Sequence, residues 1–111
     1  MRLKKLPLLA ALLMLSNNTL ADCAGKACEK VYIDSIFIRG AGNIYVGTSG
    51  NEKLLNCTAA SNIYLALDTA EPNANEMYGL IRSAQMQNRK IYLRIVDNSR
   101  NCKIQHIVFE R

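Results

Sequence analysis

From residue 31 onward the chain consists of short apolar runs divided by clusters of Gly, Asn, Asp and Ser, the pattern of a small sheet protein. VYIDSIFI (residues 31–38) is rich in β-branched and aromatic residues and alternates in part, which predicts a strand with one face in a core and the other half covered. RGAGN (39–43) supplies residues that take positive φ at little cost, so the chain turns there and residues 43–48 return as the second strand of a hairpin. SGNEK (49–53) is a polar loop, after which Leu54, Leu55 and Cys57 lead back to the core. NIYLALD (62–68) predicts a third strand, with Ile63, Leu65 and Leu67 on one side and Tyr64 and Ala66 on the other. The helical pattern follows: Asn73 as cap, Glu76 three residues on, then Met77, Leu80, Ile81 and Ala84 in one narrow stripe, ending at Asn88 and Arg89. KIYLRIV (90–96) is a strand with Ile91, Leu93 and Ile95 inward, DNSRN (97–101) a turn, and KIQHIVF (103–109) the last strand.

The order β-β-β-α-β-β is that of a small five-stranded Greek-key barrel of the OB type, in which the helix plugs one end and closure leaves no free strand edge. The expected fold class is therefore mostly β with one helix, in a single domain over residues 22–111.

Residues 1–21 read differently. Arg2, Lys4 and Lys5 precede the apolar run 6–15, and Thr19 and Ala21 are the small residues a signal peptidase accepts, so a cleaved secretory signal is expected. The run is too short to cross about 30 Å of hydrocarbon as a helix, so no stable membrane insertion is expected after cleavage. Leu20-Ala21-Asp22-Cys23 also resembles a lipoprotein cleavage site, with Asp22 where a small residue belongs; lipid on Cys23 would leave an odd number of cysteines. Without the signal, 11 of the 14 Lys and Arg remain against 9 Asp and Glu, a net charge of 11 − 9 = +2, spread along the chain. A spread of this kind is a solvated surface and not a phosphate-tracking patch, which argues against nucleic acid as a partner.

A domain of about 90 residues buries too little surface to be very stable unaided. Cys23, Cys28, Cys57 and Cys102 are an even set behind a signal peptide and read as two disulfides, for which three connectivities exist. The preferred pairing is Cys23 with Cys28, a local loop, and Cys57 with Cys102, which ties mid-chain to the end. Paired Cys-x2-Cys spacing is missing and His106 is the one histidine, so no metal site and no cofactor is expected.

The run from Val31 to Val96, with its opening hairpin, the cysteine in LLNCTAASNIYL, and EMYGLIRSAQMQNRKIYLRIV passing from helix straight into strand, resembles the OB-fold B subunits of bacterial A-B toxins, the subtilase cytotoxin type especially. The resemblance implies secretion, disulfides, an OB barrel, a ring of five subunits and binding of host-cell glycans. The chain has no tryptophan, and the sugar-contacting residues of that family match no motif here, so none is carried over.

Candidate chemistry is sparse. GNIYVGTS (42–49) is one substitution short of a Gly-x4-Gly-Lys-Ser/Thr phosphate loop, with Thr48 in place of the lysine, but its interior is strand-like and no helix follows, so no nucleotide is expected. The carboxylates show no spacing that pairs them, and His106 within a strand is the sole general-base candidate, so no enzyme is expected. Binding falls instead to Tyr45, Tyr64 and Tyr92, amphipathic rings opposite the aliphatic sets, and to the loop residues Ser49, Asn51, Glu52 and Lys53. Two function classes remain: a non-catalytic module that recognises a glycan or host surface, and a stand-alone periplasmic protein that binds another protein or stiffens the envelope.

Overall fold

The computed structural model describes residues 22–111; the expected signal segment lies outside them. The described residues form β1 (Asp22–Ala24), β2 (Ala27–Val31), β3 (Ile33–Ile38), β4 (Ile44–Thr48), a 3-10 turn (Glu52–Leu54), β5 (Leu65–Leu67), α1 (Ala74–Met86), β6 (Ile91–Ile95) and β7 (Ile104–Val108). Mostly β with one α-helix is therefore what the described residues adopt.

The expected closed barrel of five strands is replaced by seven strands in two sheets, ordered β1-β2-β6-β7 and β3-β4-β5 with all neighbours antiparallel. The additional strands arise around VYIDSIFI. Upstream of it, Asp22–Ala24 folds back on Ala27–Val31 through Gly25 at φ +60°. Lys30 then takes φ 54°, the register against β6 shifts between Cys28 and Val31, and Tyr32 belongs to neither sheet. One predicted strand thus gives its first residue to one sheet and residues 33–38 to the other. The two sheets also meet at an isolated parallel bridge, Ala66 with Lys103, where the Ala66 N–H donates to the Cys102 carbonyl at 3.1 Å.

Between the sheets lies one apolar core. Val31, Leu93 and Ile95 reach it from the four-stranded sheet, Val46, Leu65 and Leu67 from the three-stranded one, and Ile81 from the helix. Each of these removes an aliphatic side chain from water, a gain of about 1.5–3 kcal/mol apiece. Helix α1 lies against β3, β5 and β7, so it covers both sheets. Its buried stripe is Ala74, Ile81 and Ala84, whereas Leu80, placed in the stripe by its spacing, is exposed. Asn73 occupies the N-cap position without a side-chain bond to the helix, and Asn88 at φ 53° turns the chain out of its end.

Two further expectations fail locally. Ser61 and Asn62 adopt φ 51° and 66°, so the third predicted strand shrinks to Leu65–Leu67 and Ile63, expected inside, is 51% exposed. Leu54 points outward from the 3-10 turn, and Leu55 alone of that pair enters the core. The disulfides follow the preferred pairing. Cys23–Cys28 closes the β1–β2 hairpin, and Cys57–Cys102, with Cα atoms 5.1 Å apart, links the approaches to β5 and β7.

Candidate functional site

Strand alternation builds an aromatic patch on the outer face of the three-stranded sheet. Register sets Phe37 opposite Tyr45 and Tyr45 opposite Ala66, while Ile36, Val46 and Leu65, one residue off, point to the core. Tyr64, two residues before Ala66, completes a triangle: ring centroids lie 6.0 Å apart for Phe37 and Tyr45, 6.0 Å for Phe37 and Tyr64, and 6.1 Å for Tyr45 and Tyr64. The Arg39 guanidinium stands 5.7 Å from the centre of the Tyr45 ring. Together with Ser61 and Asn101 these residues line a hollow of about 230 Å³. Phe37 is 45% exposed, a large apolar ring at the surface, and the tyrosines are half-buried.

Beside the triangle, on the same sheet face, opens a polar cleft of about 580 Å³ lined by Ser35, Gly47, Asn51, Glu52, Lys53 and Asn62 among others. Gly47 joins the two. A Cβ at this position would meet the Ser35 Oγ at 2.5 Å and the Tyr64 ring at 3.6 Å, so these two side chains pack over a buried glycine at the boundary between rings and cleft.

The cleft loop is held by an unbroken set of side-chain bonds. Glu52 Oε2 accepts from the Thr48 N–H at 2.6 Å and the Thr48 hydroxyl at 2.7 Å. Thr48 Oγ1 accepts from the Gly50 N–H at 3.1 Å, and Asn51 Oδ1 from the Lys53 N–H at 3.1 Å. Asp22 Oδ1 accepts from the Asn51 N–H at 2.9 Å and the Cys23 N–H at 2.6 Å, which holds its carboxyl below the usual carboxylate range, the Asn51 bond contributing most. Gly50 lies directly against the first disulfide. The β1–β2 hairpin is thus a buttress for the loop.

Of the residues expected to bind, Tyr45 and Tyr64 fall in the aromatic triangle, and Ser49, Asn51, Glu52 and Lys53 line the cleft. Ser49 Oγ, however, accepts from the Tyr32 N–H at 2.9 Å and serves the chain break between the sheets. Glu52 is a buried carboxylate, not a loose loop residue. Tyr92 is separate: it lies on β6 in the other sheet and stacks on His106, with ring centroids 6.0 Å apart. Phe37, Arg39 and Asn101 are additional; the parity that marked Tyr45 extends to Phe37 across the hairpin, while Arg39 and Asn101 come from turns that only the tertiary fold brings together. GNIYVGTS runs through β4, extended as its composition predicts. Among the described residues no group of three or more His, Cys, Asp or Glu could hold a metal ion.

No family model, no curated protein and no solved structure matches the chain.

Proposed function

We propose that the chain is a secreted or periplasmic, non-catalytic recognition module that binds carbohydrate on the outer face of the β3-β4-β5 sheet. The observation that carries this reading is the triangle of Phe37, Tyr45 and Tyr64, three rings on one open face with Arg39 and Asn101 at the rim. Such rings offer apolar faces to the C–H side of a pyranose, and the rim groups offer hydrogen bonds to its hydroxyls. Two disulfides in a small chain support an oxidising compartment.

The strand path supports an OB-like architecture. Taken as one strand bent at Tyr32, β2 and β3 lead through β4, β5, β7 and β6 back to β2, with α1 joining β5 to β6 along the chain and the Ala66–Lys103 bridge as the seam. OB barrels are partly open and bind oligosaccharides or oligonucleotides on the face of their second and third strands, between the loops that Arg39 and Asn101 occupy here. Arg39 is the one cation among the residues lining the hollow, and residues 22–111 carry only +2, too little to neutralise a run of phosphates. Carbohydrate is therefore preferred over nucleic acid. The resemblance to toxin B subunits adds a ring of five, for which light scattering on the purified protein would return five times the monomer mass.

Exposed Phe37, Ile38 and Ile63 favour a second reading, a protein-binding or envelope component without a sugar site. A glycan array separates the two. Titratable binding that Tyr45→Ala or Tyr64→Ala weakens about fivefold, roughly the 1 kcal/mol an aromatic contact supplies, supports carbohydrate; a blank array favours the protein partner.

A further inference from the structure

We propose that the polar cleft is a subsite for the uncharged, hydroxyl-bearing end of a sugar chain, with the free oxygen of Glu52 as hydroxyl acceptor, and that it disfavours acidic sugars. This rests on the carbohydrate reading and specifies it.

Glu52 is 4% exposed, a degree of burial that carboxylates accept only when their acceptor capacity is used. Both of its side-chain hydrogen bonds fall on Oε2, from the N–H and hydroxyl of Thr48. Oε1 takes none from the described residues, yet no buried side-chain oxygen or nitrogen among them is left without a partner, so Oε1 keeps some access to solvent, and Glu52 is among the residues that line the cleft. For bracing the loop one oxygen suffices: a glutamine carbonyl would accept the same two bonds, as weaker neutral ones. What glutamate supplies beyond glutamine is a second acceptor oxygen, fixed in place in the wall of the cleft. A sugar hydroxyl donating to it would form a charge-assisted bond.

The surroundings decide which sugars enter. Asp22, Asp34 and Glu52 face the cleft against Lys53 alone, an excess of two negative charges among its lining residues. A carboxylate or sulfate on the ligand meets like charge there, and a neutral hydroxyl pair does not. The volume of about 580 Å³ lies in the range of small-molecule sites, and the Ser35 and Tyr64 side chains packed over Gly47 place the cleft directly beside the rings.

The test is calorimetric titration with two oligosaccharides that share a neutral core, one ending in galactose and one capped with sialic acid. The galactose-ended probe is expected to bind at least about tenfold tighter than the capped one, and Glu52→Gln to weaken it by about tenfold, as the loss of a charge-assisted bond implies, measured on a variant whose thermal melt remains cooperative. Asp34→Asn, an exposed position outside the loop bonds, is expected to improve binding of the capped probe, which keeps the test valid even if the Glu52 variant fails to fold. Galactose-ended binding that Tyr45→Ala weakens but folded Glu52→Gln leaves unchanged, or capped-probe affinity indifferent to Asp34→Asn, would overturn the subsite while leaving the aromatic reading in place. Binding of neither probe overturns both.

Discussion

At Gly50 a methyl group would sit 2.7 Å from the Cys23 sulfur and 3.0 Å from the Cys23 nitrogen, neither of which can retreat from a buried disulfide hairpin. Gly50→Ala should therefore cost about 1–3 kcal/mol, as overfilling a packed contact does, and shift the cleft loop. Gly79 is the opposite case. It is exposed in the middle of α1, and a methyl group there would meet no atom within 4 Å, so Gly79→Ala should raise stability by about 0.5–1 kcal/mol through helix propensity alone. Urea denaturation of the two variants reads both signs. Asp22 adds a pH dependence at the same loop. Its carboxyl is held below its usual range by the Asn51 N–H and, less, by the Cys23 N–H, so its stabilisation is full above the usual carboxylate value and is lost as pH falls through the lowered one. Melting temperatures followed from neutral to acid pH should drop on that limb, and Asp22→Asn should flatten that part of the drop.

Among the elements, Ile63 and Leu65 share one parity in the sequence, and alternation alone assigns both to the core. The left-handed turn at Ser61 and Asn62 breaks the strand before Tyr64, so Leu65 is fully buried and Ile63 is not. Ile63→Ser should change stability by less than about 0.5 kcal/mol, whereas Leu65→Ala should cost about 2–5 kcal/mol. Equal losses in thermal melts would show that the strand extends as its alternation suggests. The same contrast explains what was legible. β6 could be read directly because Ile91, Leu93 and Ile95 alternate with Tyr92 and Arg94 over five residues, long enough for the period to show. The β1–β2 hairpin could not, since DCA and ACEKV are too short and too polar to carry a period, and the disulfide that marks them was legible as a bond but not as a hairpin. Tyr45 and Tyr64 were legible as outward-facing rings. Their grouping with Phe37 and Arg39, and the conversion of Glu52 from loop side chain to buried acceptor, depend on pairing across the sheet and on the hairpin docked behind the loop.

At the scale of the whole molecule the two disulfides hold different things. Cys57 and Cys102 lie on the approaches to β5 and β7, next to the Ala66–Lys103 bridge where the two sheets meet. Their bond closes 45 residues of separation, and on the loop-entropy model it contributes up to about 4 kcal/mol, against about 2 kcal/mol for the five-residue separation of Cys23 and Cys28. A chain of this size has a total stability of only about 5–15 kcal/mol, so the longer bond is a large share of it. Replacing Cys57 and Cys102 together by alanine should lower the whole unfolding transition, because α1 and the core span both sheets and neither sheet keeps its covering without the other. Replacing Cys23 and Cys28 should lower it less but act locally, freeing the buttress behind Gly50 and Asn51 and so loosening the cleft. Paired denaturation and sugar titration on the two double variants separate these roles: the first should lose stability with its aromatic contacts intact wherever it remains folded, and the second should keep most of its stability while its preference for neutral sugar ends declines. The reverse assignment would mean that the hairpin, and not the sheet seam, holds the molecule together.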